Sequence, residues 1–390
     1  MVSGPTSHRT ALLYLAIAMA ASAAIGDAWG ADYKVLYNFA GGRTDGAHPD
    51  ADLILQGGNL YGTTELGESD GLLGPGTVFK LTLNGKETVL HVFDYDHGNG
   101  PQAGVTLDRA TGELYGSTTD GGAYGRGILF KLNAHGKEIV LHNFNPNIDG
   151  NFPRGRLIRD PLGNLYGIAS SLGGSNDGTI YKLAANGTFT VLHTFIGSDG
   201  EDPAARLDRD KAGNLYGTTF FGGDDNSGTV FKLTPEGTFT TLYTFTGGVD
   251  GSRPAGGLVR DKSGNLYGTT LLGGVADMGV VFKLAPDGKE TVLHSFKGGT
   301  DGAHPEADLR RIGNTLYGTT GTGGGACDCG TVFRMSLDGA ETILHSFAGS
   351  PSDGANPYAG LVEGKNGILY GTTDNGGASG HGVVFSVKNK

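Results

Sequence analysis

Leu-Tyr-Gly occurs seven times in this 390-residue chain, with its tyrosine at Tyr61, Tyr115, Tyr166, Tyr216, Tyr267, Tyr317 and Tyr370, at steps of 54, 51, 50, 51, 50 and 53 residues. A period this steady limits the possible folds before any local reading, because each copy is one supersecondary unit that buries its apolar face only against its neighbours. Four short segments recur in every copy. In the fifth they are Pro254-Ala255-Gly256-Gly257-Leu258-Val259-Arg260, Leu266-Tyr267-Gly268-Thr269-Thr270, Gly279-Val280-Val281-Phe282-Lys283-Leu284 and Glu290-Thr291-Val292-Leu293-His294-Ser295-Phe296. Between them lie Asp261-Lys262-Ser263-Gly264-Asn265, a loop with the Gly273-Gly274 pair, and Pro286-Asp287-Gly288. Short β-branched or aromatic runs punctuated by Gly, Pro and Asp are the signature of strands and tight turns. Four antiparallel strands in roughly 50 residues make one blade of a β-propeller.

The two ends of the repeat region fit together. The first segment after residue 31, Tyr33-Lys34-Val35-Leu36-Tyr37-Asn38-Phe39, is of the fourth type, and the chain closes after a third-type segment at 382–387. The expectation is an all-β, seven-bladed β-propeller of four-stranded blades, one domain over residues 31–390, with the N-terminal strand completing the last blade and leaving no sheet edge at the seam. Residues 1–30 read as a signal peptide: an apolar run at 11–24 and a small-x-small stretch, Ala28-Trp29-Gly30, before Ala31. This implies a secreted or periplasmic protein with no membrane span after signal removal, and residues 383–390 offer no hydrophobic anchoring tail. Glycine is abundant, at 72 residues, but it keeps fixed places in each repeat and therefore marks turns rather than disorder. The formal net charge of −11 disfavours nucleic acid and anionic membranes as partners, since both require a basic footprint.

The pattern D-G-x-x-P, G-N-L-Y-G-T-T-x-x-G-G, G-T-V-F-K-L and T-V-L-H-x-F, in that order, resembles the GloVer tandem repeat of secreted bacterial proteins, a choice-of-anchor repeat family, over nearly the whole chain after residue 31. The third repeat departs, with Ile168-Ala169 in place of Thr-Thr. The resemblance implies an exported, propeller-like protein and no established activity, so no catalytic residue carries over. In scaffold the repeats are more distantly similar to NHL and streptogramin-lyase-like propellers, and a shared scaffold does not carry function.

Two rows of polar residues recur with the repeat. Asp45, Asp149, Asp199, Asp250, Asp301 and Asp353 each precede glycine in the loops joining successive blades, and His97 holds the equivalent place in the remaining one. A ring of these side chains at the channel mouth is the candidate ligand-binding set. The alternative is that each aspartate accepts hydrogen bonds within its own turn. The second row is His91, His142, His193, His294 and His345, with Tyr37 and Tyr243 in the other two places. In Val-Leu-His-x-Phe the Val, His and Phe are expected on one strand face, and the His/Tyr exchange points to packing between blades against a neighbouring carbonyl or aspartate.

Cys327 and Cys329 flank one residue in a loop of the sixth repeat, and export favours a disulfide between them. Free thiols, or a soft-metal site with His48, His304 and His381, whose loops share that face, are the competing readings. The clusters Asp94-Tyr95-Asp96-His97-Gly98-Asn99-Gly100 and Asp224-Asp225-Asn226 point only weakly to calcium, which needs six or more oxygens. Tyr95, Tyr124, Phe220 and Phe221 offer stacking surfaces for a sugar. No nucleophile-elbow, zincin or phosphate-loop motif is present, so no catalytic residue and no cofactor is assigned. The expectation is an exported non-catalytic binding or scaffold propeller. Its carbohydrate or protein ligand would meet the face carrying the Asp-Gly and Gly-Gly loops. The alternative is a lyase- or hydrolase-like propeller acting on a carbohydrate or small cyclic substrate.

Overall fold

The structure, a computed structural model, describes residues 32–42, 44–67, 74–170 and 177–389. The signal-peptide reading of residues 1–30 lies outside the described residues. Seven four-stranded antiparallel sheets form the molecule. In the fifth blade the strands, from first to fourth, are Val259–Arg260, Leu266–Thr270, Val280–Leu284 and Glu290–Ser295. The seventh blade is assembled from both ends of the chain. Its fourth strand is Tyr33–Asn38, paired antiparallel with Val383–Lys388. The ring thus closes as expected from the phase of the repeats.

Aromatic rings pin every junction. The last phenylalanine of each fourth segment packs edge-on against the third-strand aromatic of the next blade, from Phe39 on Phe79 to Phe347 on Phe385. Centroid distances span only 5.0 to 5.5 Å around the ring. Seven apolar cores result, one between each pair of blades, as where Val230 and Phe245 meet Leu258, Leu266 and Phe282. At ~1.5–3 kcal/mol for each buried aromatic or aliphatic side chain, these junctions dominate the stability of the ring.

The recurring Leu-Tyr-Gly-Thr-Thr strand serves these junctions. Its glycine has ordinary extended geometry and is required for space: a Cβ on Gly268 would lie 2.7 Å from Phe282 Cζ and 3.0 Å from Leu258 Cδ2. The first threonine bonds across the junction to the innermost strand of the next blade, as Thr319 Oγ1 does to the Ala359 carbonyl at 3.2 Å. The second satisfies its own blade, as in the 2.8 Å hydroxyl pair of Thr320 and Thr331. In the third blade, where Ile168-Ala169 removes both hydroxyls, Ser170 donates instead to the Pro203 carbonyl at 2.8 Å.

One expectation about side-chain direction fails. Val292 pairs with Phe282 and His294 with Val281, so a bulge at Leu293 interrupts the alternation. Val292 therefore faces the preceding blade, while Phe296 lies in the core shared with the next. The same register shift occurs in the fourth strand of the other blades. An extra residue turns the side chains beyond it to the other face, which a strict period of two cannot anticipate.

Candidate ligand site at the channel mouth

The two polar rows are halves of one device. His142, His193, His294 and His345 place Nε2 at 3.0, 3.0, 3.3 and 2.9 Å from Asp149, Asp199, Asp301 and Asp353. Tyr37 and Tyr243 donate to Asp45 and Asp250 at 2.6 and 3.0 Å. Each aspartate also accepts a backbone N–H from the turn leaving the fourth strand, as Asp250 does from Thr246 at 2.9 Å and Asp353 from Ala348 at 2.9 Å. The exception supports the rule. Where His97 replaces the aspartate, Asp94 caps that turn through the His97 N–H at 2.8 Å, and His91 Nε2 has no hydrogen-bond partner. The aspartate row thus holds together the junction loops; none of its members lines the cavity at the channel mouth.

The mouth of the channel is built around the proline that opens each innermost strand. Immediately before it, His48, Phe152, Asp202, Arg253, His304 and Asn356 all have φ between +51 and +58°, and Gly100 has +65°. This left-handed turn lets the residue's N–H reach back to the preceding blade, as from Asp202 to the Asp177 carbonyl at 2.8 Å. Immediately after the proline come Asp50, Gln102, Arg154, Ala204, Ala255, Glu306 and Tyr358. Both positions differ in almost every blade, although the proline between them is constant.

The ring turns all seven residues of the second set onto one cavity of about 500 Å³, with Asp202, Phe220 and Phe221 on its rim. Burial, reinforced by Glu65 and Asp374, pushes the Asp50 carboxyl well up. Burial also raises Asp202 against the pull of Arg154, and raises Glu306. Asp50 Oδ1, Arg154 Nε and Asp202 Oδ1 are buried without a protein hydrogen-bond partner. All three residues line the mouth, where a polar ligand or water could satisfy these atoms. Gln102 is held by Glu65 at 2.5 Å.

The floor of the cavity is a charged quartet two residues further along the same strands. In ring order the position runs Asp52, Gly104, Arg156, Arg206, Gly257, Asp308 and Gly360. Asp308 accepts from Arg206 Nε at 2.8 Å and from the Gly257 N–H at 2.6 Å; Asp52 accepts from the Gly360 N–H at 2.6 Å. The glycines make this crossing possible, since a Cβ on Gly257 would stand 2.6 Å from Asp308 Oδ1. Burial would raise Asp308, but Arg206 holds its carboxyl low; burial and the neighbouring Asp308 raise Asp52. A second cavity of about 240 Å³ lies beyond the quartet, so the charges partition the channel.

Among the described residues the other candidates form no metal-ligand cluster, although the rings of His48 and His381 lie 6.3 Å apart. Cys327 and Cys329 are bonded to each other, with Cα atoms 5.1 Å apart, so their thiolates are not available to a metal. His48 bonds Asp374 at 3.0 Å and His304 bonds the Thr322 hydroxyl at 2.8 Å. Asn226 of the Asp224-Asp225-Asn226 cluster accepts the Gly222 N–H at 2.8 Å. Of the aromatics, Phe220 and Phe221 reach the mouth, whereas Tyr95 and Tyr124 stand exposed at 60% and 56%. Sequence reasoning named His48 and His304, though for a metal, and missed the other residues flanking the proline and the quartet. The signal was present as the inverse of the repeat: positions that change while their neighbours do not.

No curated protein matches the chain. Solved structures share the fold at low identity. The chain covers 88% of its own length against PorZ from Porphyromonas gingivalis, a surface component of the type-IX secretion system, with TM-score 0.55, 17% identity and 47% of that chain covered. A protein assigned as the extracellular domain of a one-component system from B. thetaiotaomicron matches 88% of this chain and 40% of its own, with TM-score 0.54 and 13% identity. A protein assigned as a 6-phosphogluconolactonase from Bacteroides uniformis matches 77% of this chain and 85% of its own, with TM-score 0.52 and 16% identity. At these identities the likeness is one of fold alone. The model of the Gloeobacter/Verrucomicrobia repeat matches residues 27–175, 68–263 and 156–385, and with the repeat continuous around the ring the chain belongs to that family.

Proposed function

We propose that the protein is an exported, non-catalytic binding propeller whose channel mouth takes a polyhydroxylated ligand of carbohydrate class. One observation carries this reading: residues that differ between repeats flank a constant proline, and the ring gathers one of them from every blade around a single cavity. Variable side chains on a rigid scaffold are the usual construction of a recognition surface. The chemistry suits vicinal hydroxyls. Arg154 and Gln102 donate, Asp50, Asp202 and Glu306 accept or donate according to protonation, and Phe220 with Phe221 supplies apolar surface. Serine, cysteine, histidine and lysine are absent from the described lining, which leaves no activated nucleophile of those types. Export rests on the reading of residues 1–30.

The upward shifts of Asp50, Asp202 and Glu306 favour a second reading, acid–base cleavage of a carbohydrate or small cyclic substrate. Incubating the protein without its first 30 residues on an array of plant and bacterial glycans, followed by product analysis, separates the two. Retention without turnover supports binding. Turnover that is lost in Glu306→Gln supports the second reading. Failure to retain any glycan overturns both and leaves a protein partner as the ligand to seek.

A further inference from the structure

We propose that the junction between the fifth and sixth blades is a binding site for one first-row divalent cation, held by His294, Asp301 and Glu341. The three residues come from three segments: the fourth strand of the fifth blade, the loop joining the blades, and the fourth strand of the sixth blade. One ligand atom from each lies within 4.8 Å of the others, and among the described residues no other such group of three occurs.

The comparison between junctions carries the inference. Facing the histidine or tyrosine of each blade, the next blade presents the first residue of its fourth strand. At three junctions this residue is aromatic: Phe189 stacks on His142 at 3.8 Å, Phe239 on His193 at 3.8 Å and Tyr33 on His345 at 3.6 Å. At the other four it is a glutamate, Glu87, Glu138, Glu290 or Glu341. Glu87 and Glu290 face tyrosines, Tyr37 and Tyr243, and Glu138 faces His91 where the aspartate is missing. Glu138 also feels His97 and Asp94, but among the described residues only at Glu341 do the ligand atoms of a histidine, an aspartate and a glutamate gather within 4.8 Å of one another.

The geometry at this junction differs accordingly. The aromatic-backed pairs hold His and Asp at 2.9 to 3.0 Å, a hydrogen-bond length. His294 Nε2 and Asp301 Oδ2 stand at 3.3 Å, and Glu341 Oε2 lies 3.9 Å from the same nitrogen. Ligand atoms each ~2.0–2.1 Å from a tetrahedral ion are about 3.3 Å apart. The His–Asp edge already has this length, the His–Glu edge is 3.9 Å, and the Asp–Glu edge lies within 4.8 Å, so Glu341 must move inward to complete the third corner. The Glu341 side chain is only 10% exposed, and its Oε1, like that of Glu87, Glu138 and Glu290, is buried without a hydrogen-bond partner. His294 and Asp301 keep 16% and 23% exposure, so an ion has access and room for water. One imidazole with two carboxylates suits zinc, manganese or cobalt better than calcium. The exchange of histidine for tyrosine elsewhere in the row, which speaks against a metal at those junctions, leaves this one intact.

The test uses untagged protein without residues 1–30, chelator-treated and then titrated with Co²⁺ and with Zn²⁺. The variants His294→Tyr and Glu341→Phe copy what the chain itself places at other junctions, Tyr243 and Phe189, so their fold is protected by precedent. We expect one equivalent of metal per chain, a visible cobalt spectrum of low-coordinate type, and a rise in Tm of a few degrees at saturation. Both variants, folded by circular dichroism, should lose the bound equivalent and the Tm response. Absence of binding by the wild type, or an equivalent retained by either variant, overturns the proposal.

Discussion

At the scale of the residue, the aspartate before each glycine ties the blade it leaves to the loop it starts. Asp199→Ala removes the His193 bond and the cap on the Ile196 N–H, both 3.0 Å. Its cost should be ~1.5–3 kcal/mol in chemical denaturation, with ligand retention unchanged. His97→Asp should do the reverse, giving His91, which now has only Glu138 at 3.5 Å, a hydrogen-bond partner and adding ~0.5–1 kcal/mol. The glutamates at the junctions set a pH dependence. Burial, with nearby aspartates, pushes Glu87 and Glu290 up to about 7 and Glu341 to about 8; burial raises Glu138 to about 7. An unfolded glutamate titrates near ~4.3, so between there and pH ~8 the folded chain holds more protons than the unfolded one. Stability then falls as pH rises. Burial lowers His91 and His193, which works in the opposite sense below pH ~6.5. The net loss should therefore be clearest between pH ~6.5 and ~8 as a falling Tm in a buffer series, and Glu290→Phe should lessen it by one glutamate's share.

At the scale of the element, closure rests on the strand Tyr33–Asn38. Tyr33 stacks on His345 and donates to Asp353 at 2.5 Å, while Phe39 enters the core between the seventh and first blades. Deleting residues 31–40 should lower stability by several kcal/mol, on the order of the ~1.5–3 kcal/mol for each buried side chain lost, and expose the edge of Val383–Lys388. A synthetic peptide of residues 31–40 added in trans should restore the melting transition; an unchanged Tm in the deletion would count against the ring. This element was legible beforehand because the phase of the repeat is visible at both ends. The bulge at Leu293 was not, because Val-Leu-His contains no glycine or proline to mark it and the pairing partner decides the register.

At the scale of the whole molecule, constancy and variation are separated in space. Residues constant between repeats, such as the packing glycine of Gly268 and the aromatic pins, build the junctions. Residues that vary meet at the axis. The ring was readable from the former, whereas the site depended on the latter, and Asp50, Arg154 and Glu306 carry no motif that a scan along the chain could pick out. Only alignment of the repeats on their shared proline brings them together. The charged quartet below them should be a unit. Asp308→Ala strands Arg206 and should cost ~3–5 kcal/mol, whereas replacing Arg206 and Asp308 together by leucine should cost far less, as measured by denaturant midpoints.

Recognition, on this account, belongs to the variable mouth and not to the repeated aspartates. Calorimetric titration of a glycan retained on the array tests it directly, using wild type, the pair Arg154→Ala with Tyr358→Ala, and Asp199→Asn. The mouth variant should lose at least about tenfold in affinity while Asp199→Asn binds as wild type does. No glycan bound by the wild type, or binding lost in Asp199→Asn and kept in the mouth variant, would contradict it.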